Sequence, residues 1–448
     1  MKKCQDKTRL SGDVESAAAS SCSQVEEGWI KAKTKTLDNG LKVVVVEDHS
    51  IARISVGVLY NVGSADDPEH MVGLSHMTEH MFFHGSERFP DIGATLGAEG
   101  GTINACTSED FTLYVTDAPS SALEKICEAE ADRMGRFELK NEEIFRKEQM
   151  AVFEERLMCV ENPPLGLADE YIQASLWPQH PYGKEIIGSR KNIRAYTRNA
   201  VNEHYRTWYK PNNATLLVIG DVKGKAVFEL AQKYFGWIKE GPLPERVRPQ
   251  NSLRDHVHHT VTYYSDKVAS PKVEFLYTVP HHSTDGMAAE VALKIGLEAL
   301  FGGRVFSFLK YFEEDKELVS SLNLEWEETY DPYPVSVCAQ LMPGVSVERF
   351  QKAYNQKLNK VLKRGLAREE FERARRGFLL EAVYRGQDGH SKMRMLLARL
   401  AMGYSLEQLE SIPSLVKATT YEQVMETLRR VFSPRPFATA FILPPLQS

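Results

Sequence analysis

Gly73-Leu74-Ser75-His76-Met77-Thr78-Glu79-His80-Met81-Phe82-Phe83-His84-Gly85 is the stretch on which the reading of this chain turns. It reads as a helix over 73–83. On such a helix His76 and His80 stand four residues apart, about one turn, so both imidazoles leave the same face and can grip one ion. Glu79, three residues after His76, lies beside that ion rather than opposite it, where a carboxylate can take a proton from bound water. A catalytic zinc takes three protein ligands and keeps one position for water, so a third ligand has to come from elsewhere in the chain.

A second helical run, Asn141–Val160, stopped by Asn162-Pro163-Pro164, offers that ligand. Glu148 and Glu155 are seven residues apart, almost two turns, and project from one face of it. Two carboxylates on one stripe are more often solvated charge than ligands, and the histidine pair reverses that balance. His84 continues the four-residue series, but three ligands suffice and it reads as structural. The pairs His258-His259 and His281-His282 point to opposite faces if they lie in strands, which makes them poor chelators and surface residues.

Outward from the motif, Thr36–Val46 carries an Asn-Gly hairpin turn between strand formers, and Ile51–Val62 alternates as a strand. Residues 100–115 read as two strands and Ser120–Phe137 as a helix. The polar, proline-bearing stretch after Trp237 predicts a linker at 239–255, separating an N-terminal unit (29–238) from a C-terminal one (256–448), with a disordered tail at 1–28. Past the linker, Val273–Val279 and a helix ending Glu298-Ala299-Leu300-Phe301-Gly302-Gly303 echo Val56–Val62 and the helix ending at Gly85, so the halves look like diverged copies. The positions answering His76, Glu79 and His80 are Leu293, Gly296 and Leu297, which bind no metal. The expected fold is α+β: two homologous domains, each a mostly antiparallel sheet flanked by helices, with the chemistry in the first.

Composition narrows the function classes. The 448 residues carry 61 acidic and 55 basic side chains, a formal charge of −6, with no basic block to neutralise a row of phosphates, so no nucleic-acid partner is expected. Six scattered cysteines suggest free thiols. No apolar run is long enough to span a membrane, and the first 28 residues lack the apolar core of a signal peptide. The sequence as written therefore predicts a cytoplasmic protein, or a periplasmic one if the start is misplaced.

Together with Glu148-Gln149-Met150-Ala151-Val152-Phe153-Glu154-Glu155-Arg156, the opening stretch resembles the pitrilysin and insulin-degrading enzyme family of inverzincin zinc metallopeptidases, which includes the mitochondrial processing peptidases and shorter bacterial relatives. The resemblance runs from Thr36 to Pro444, through Asn104-Ala105-Cys106-Thr107-Ser108, His180-Pro181-Tyr182-Gly183 and Trp208-Tyr209-Lys210-Pro211-Asn212-Asn213-Ala214. It implies a pitrilysin-like fold and one Zn²⁺ per chain, held by His76, His80 and Glu155 rather than Glu154. Glu148 is implied as a supporting carboxylate and Glu79 as the general base of a zinc endopeptidase. It also implies a peptide or unfolded polypeptide substrate paired along a strand edge through Asn104 and Ala105.

Members of this size resemble half of the long single-chain enzymes and close a chamber by pairing, so a dimer is implied. In complete enzymes the second half supplies an Arg and, seven residues on, a Tyr that hold the substrate. Here the corresponding stretch is Glu313-Glu314-Asp315-Lys316-Glu317-Leu318-Val319-Ser320, and a carboxylate cannot donate to a carbonyl oxygen. The expected partner is a metal-free homologue supplying the Arg/Tyr pair in a heterodimer; the alternative is a homodimer in which Arg304 substitutes. A reading from another class is a non-catalytic core or assembly subunit, although such relatives generally lack the complete motif.

Overall fold

The computed structural model describes residues 30–86, 88–246, 258–302, 308–385 (381–385 as backbone) and 389–445. The Asn-Gly turn predicted from sequence joins β1 (Ala32–Thr36) to β2 (Lys42–Glu47) as an antiparallel hairpin, with Thr36 opposite Lys42. With β3 (Arg53–Tyr60), β4 (Thr102–Thr107), β5 (Thr112–Pro119) and β6 (Ala214–Gly220) it forms a six-stranded sheet in the order β1-β2-β6-β3-β5-β4, in which only β2 and β6 run parallel. The second sheet is β7-β11-β8-β10-β9, built from His259–Tyr264, Ala438–Leu443, Lys272–Tyr277, Val335–Leu341 and Val319–Glu325, with β7 and β11 its parallel pair. Taken in chain order, β2 to β6 and β7 to β11 occupy the same places with the same parallel pair. The two sheets therefore share one topology, and the repeat seen in sequence is a repeat of fold.

Because side chains alternate across a strand, the run Val43-Val44-Val45-Val46 divides between two cores. Val43 and Val45 join Val56, Val58, Met77, Met81 and Phe82 on one face. Val44 and Val46 join Leu217, Ile219, Met393, Leu396 and Leu397 on the other, where α11 (Gly389–Ala401) of the second half lies on the first sheet. An α-carbon without a side chain permits that approach: a Cβ on Gly57 would sit 2.4 Å from Leu397 Cδ1 and 2.7 Å from Met393 Sδ. Burial on both faces explains why β2 reads as an unbroken apolar run rather than an alternating one.

The helices of seven residues or more in the first half are α1 (Leu74–Phe82), α2 (Ile92–Ala98), α3 (Leu123–Arg136), α4 (Glu142–Arg156), α5 (Gly166–Leu176), α6 (Arg198–Trp208) and α7 (Gly224–Phe235). Those of the second are α8 (Met287–Phe301), α9 (Val347–Arg364), α10 (Arg368–Arg385), α11, α12 (Leu406–Ala418) and α13 (Tyr421–Phe432). The halves are also tied by polar groups: Tyr182 donates to Asp110 Oδ2 at 2.7 Å, and the amides of Tyr330 and Asp331 donate to Asp110 Oδ2 (3.0 Å) and the Tyr182 oxygen (3.1 Å). The predicted linker divides: 239–246 lie against the first half, with Arg246 paired to Asp66 at 3.0 Å, and 247–255 fall outside the described residues, as does the tail.

One sequence expectation fails here. His281 and His282 are buried, at the start of a short helix rather than in a strand: the His281 ring meets Thr329 O at 3.1 Å, and His282 stacks on Tyr404 with ring centroids 3.7 Å apart. Four described cysteines, Cys106, Cys127, Cys159 and Cys338, are free thiols, and among the described residues no helix is long and apolar enough to cross a membrane.

Arg133 of α3 is a charged side chain that is fully enclosed. It pairs with both oxygens of buried Glu130 (2.8 and 2.6 Å), donates to Phe82 O at the end of α1 (3.3 Å), and stacks over Phe82 and Tyr114. Removing one member of such a pair strands the other charge. Arg133→Ala should cost about 3–5 kcal/mol, read as a fall in the urea midpoint, whereas Arg133→Met combined with Glu130→Leu should recover most of it. A single variant as stable as the parent would contradict this account.

Candidate metal centre

α1 is enclosed on nearly every side: Leu74, Ser75, Met77, Thr78, Glu79, Met81 and Phe82 are all buried. What remains open is the stripe of His76, His80 and His84, half-buried at four-residue intervals. The helix is fixed at its start by Gly73, whose φ of +92° suits glycine and where a Cβ would fall 2.5 Å from the Ile187 carbonyl oxygen. Asp67 holds the same end, accepting from the amides of Gly73 (2.7 Å) and Ser75 (2.9 Å) and lying 2.7 Å from the Ser75 hydroxyl. Burial pushes the Asp67 carboxyl up to about 8, against those three donors. His204 Nε2 also meets the Ser75 hydroxyl, at 3.1 Å. These residues are not a nucleophilic triad: Ser75 is fully buried and stands between Asp67 and His204, and burial alone pulls His204 down to about 3.

α4 brings its carboxylates to this stripe. Asn141 caps it by accepting from the amides of Glu143 and Ile144. Two buried anchors set its rotation. Gln149 donates to Ile193 O at 2.6 Å, and Arg156 donates to Gly188 O at 2.7 Å and pairs with Glu170 at 2.8 Å. Each anchor directly follows one of the two carboxylates, so Glu148 and Glu155 both face α1 while Glu154 is exposed. The α-helix ends one residue after Glu155 and passes into a π-helical turn over Leu157–Glu161, a local irregularity of the kind often found at functional sites.

The resulting distances suit a metal. Glu155 Oε2 lies 3.2 Å from His80 Nε2 and 3.6 Å from His76 Nε2, and one ligand atom of each of the three residues falls within 4.8 Å of the others. Tetrahedral zinc with its usual bond lengths spaces such ligand atoms roughly 3.3 Å apart. Glu155 Oε2 is buried and accepts no aligned hydrogen bond among the described residues, which fits an oxygen left for a cation. Burial first, then the neighbouring His80, pull His76 down to about 4 against the attraction of Glu155, which favours the neutral ring that ligates. Burial also works against the charged form of His80, but Glu155 and Glu79 outweigh it and raise that ring. The imidazole of His80 holds Glu155 below the usual carboxylate range despite burial.

Around this trio, Glu148 stands between His80 Nδ1 (3.5 Å) and His84 Nε2 (3.2 Å), while His76 Nδ1 has no hydrogen-bond partner among the described residues. Glu79 is buried beside the ligands, and burial raises its proton affinity against the Thr107 hydroxyl and His80. Asn104 and Ala105 lie on β4, the outermost strand of the first sheet; the Ala105 amide is held by the Asn104 side-chain oxygen at 2.8 Å. In the second half, Leu293, Gly296 and Leu297 are buried in α8 where α13 packs on it, so those positions are sealed as well as chemically inert.

Residues 42–190 match the family described as Insulinase (Peptidase family M16), and 195–378 match the Peptidase M16 inactive domain. The Zinc protease PqqE of Helicobacter pylori is 30% identical over 350 residues, 77% of each chain. The chain belongs to the M16 peptidase family. The crystal structure of a protease from Helicobacter pylori superposes with a TM-score of 0.83 at 26% identity, covering 93% of this chain and all (100%) of that one. The crystal structure of pitrilysin gives 0.69 at 18% identity over 94% of this chain, but only 46% of the pitrilysin chain. At family level the activity is that of a zinc metallopeptidase, and the fold is pitrilysin-like.

In this M16 chain, sequence reasoning missed Thr107, Asp67 and the contact of His84 with Glu148. Thr107 stood within a quoted motif without a role; the others carried no local signal. Groups that orient metal ligands typically matter by about 10–100-fold in metal affinity. Glu148→Ala should weaken zinc binding in that range while leaving the thermal midpoint of the metal-free protein within a few degrees, measured by competition with a chromogenic chelator. Unaltered zinc affinity would remove Glu148 from the site.

Proposed function

We propose that this chain is the zinc-bearing subunit of an endopeptidase that hydrolyses peptides or unfolded polypeptides. The observation that carries the reading is the convergence of His76, His80 and Glu155 on one point with the Glu79 carboxyl beside it, all within the N-terminal unit (29–238). His76, His80 and Glu155 would hold a zinc ion there, which would supply Lewis acidity toward the scissile carbonyl and a water. Glu79 takes the proton from the attacking water and delivers it to the leaving amine as the C–N bond breaks. Its burial suits a group that must first hold and then release a proton.

The peptide docks by pairing with the free edge of β4, a mode that reads backbone more than sequence. A substrate carbonyl takes the place of the Asn104 oxygen on the Ala105 amide. The non-catalytic alternative is disfavoured because such a subunit has no use for a complete ligand set with a base beside it. Glu79→Gln should retain zinc and lose cleavage of a peptide library by about 10²–10⁴-fold, read by mass spectrometry with and without chelator. Undiminished turnover would remove Glu79 from the mechanism.

A second chain completes the chamber. This chain spans about half of the pitrilysin chain (46%). Glu313 and Ser320, standing where the family carries its Arg and Tyr, are exposed on a π-helical turn and on β9 (Val319–Glu325), while Arg304 lies outside the described residues. A metal-free homologue bearing the Arg/Tyr pair is therefore the expected partner. Adding it to the pure chain should raise peptide cleavage about 10²–10³-fold, the usual worth of an oxyanion-type donor, and shift the mass in solution to that of a heterodimer. Full activity from the isolated homodimer, unchanged by the partner, would sink this part of the reading.

A further inference from the structure

Glu79 has one hydrogen-bond donor among the described residues. The Thr107 hydroxyl donates to its Oε2 at 2.5 Å. The two residues sit on different elements, α1 and the last position of β4, and the second is held rigidly. Thr107 pairs with Thr112 of β5, whose own hydroxyl donates to Val62 O at 2.9 Å; the Ser108 amide donates to Phe111 O at 2.9 Å, and Ser108 O accepts from the Ser64 amide at 3.0 Å. Strand alternation puts Thr107 on the same face as Ile103 and Ala105, which pack on the core that contains Met77 and Met81 of α1. The hydroxyl that meets the base thus belongs to the strand on which the peptide would pair, two residues from Ala105.

We infer that Thr107 is a positioning residue for Glu79: its hydroxyl occupies Oε2, leaves Oε1 as the oxygen that accepts the proton, and ties the direction of the base to the docking strand. This rests on the endopeptidase reading of the site. A carboxylate that is buried and unclamped can rotate about its terminal torsion, which is broad and shallow; a charge-assisted bond from a fixed hydroxyl holds one orientation. The water then meets a base already aimed at it.

The test compares Thr107→Val, nearly isosteric and without the hydroxyl, with Thr107→Ser, which restores the donor. In the zinc-loaded protein, assayed with its partner if one is needed, Thr107→Val should lower kcat about 10–100-fold with KM within about threefold and zinc content unchanged, while Thr107→Ser should return to within about threefold of the parent. A second arm needs no turnover: a tripeptide hydroxamate passes its N–OH proton to the base when it binds. Thr107→Val should weaken its binding about tenfold, while the corresponding peptide amide, which has no such proton, should bind all three proteins alike. That arm decides the role of Thr107 even in a protein that hydrolyses no peptide, so failure of the endopeptidase reading and failure of this inference give different patterns. Parental kcat and hydroxamate affinity in Thr107→Val would overturn the inference, as would a Thr107→Ser variant impaired as deeply as Thr107→Val, or a loss that tracks lost zinc.

Discussion

Asp67 and Arg133 clamp the two ends of α1, a helix of nine residues that is too short to persist on its own. The Asp67 carboxyl accepts amides from the helix start and the Arg133 guanidinium donates to a carbonyl at its end, so backbone groups that the short helix cannot pair internally find partners. Between the clamps the helix is packed against the first sheet and against α4 and α6, so the one stripe left open is fixed in direction. The direction of His76 and His80 is therefore a product of enclosure. A small rotation of α1 would bury His80 and turn an apolar residue outward, and the price would fall on every contact at once.

Much of the site was legible because its first part is local. Helical periodicity alone puts His76 and His80 on one face with Glu79 beside them, while their assigned roles come from the resemblance, and the α+β architecture with its internal repeat follows from two similar strand-then-helix orders. The choice of Glu155 over Glu154 was not local: it depends on the rotation of α4, which Gln149 and Arg156 set by reaching carbonyls 44 and 32 residues away in sequence. Thr107 meets Glu79 across 28 residues, and Arg133 meets Phe82 across 51. Polar contacts of this span leave no periodic trace, so only a fold or a family resemblance can find them. His281 and His282 were misread for the same reason, since their burial is decided by Tyr404 and Thr329, far along the chain.

The duplication shows what was free to change. Both sheets keep five strands in one order with one parallel pair, yet only the first half leaves the helix after its second common strand partly uncovered. In the second half that helix is α8, and α13 lies on it. Once such a helix is enclosed on all sides, apolar and small residues are the stable choice at the positions answering His76, Glu79 and His80, because a buried imidazole or carboxylate without a partner is costly. Leu293, Gly296 and Leu297 fit that condition, and the topology persists because the sheet does not depend on the metal.

The outer strands of the sheets differ in a way that bears on substrate docking. An open edge is a template for any extended chain, and proteins protect such edges with charge, lysine above all. β1 carries Lys33 and Lys35 within a strand of five exposed or half-exposed residues, which blunts that edge. β4, at the opposite end of the same sheet, reads Thr-Ile-Asn-Ala-Cys-Thr without a charge, and its residues are only partly covered. An unprotected edge is a liability unless it has an occupant, and this one ends at the residue that holds Glu79. On the proposed reading, a guest strand paired there would lie alongside His76, His80 and Glu155 through the same hydrogen bonds that satisfy the edge, and the features that would make β4 prone to aggregation in another protein would serve to seat a peptide.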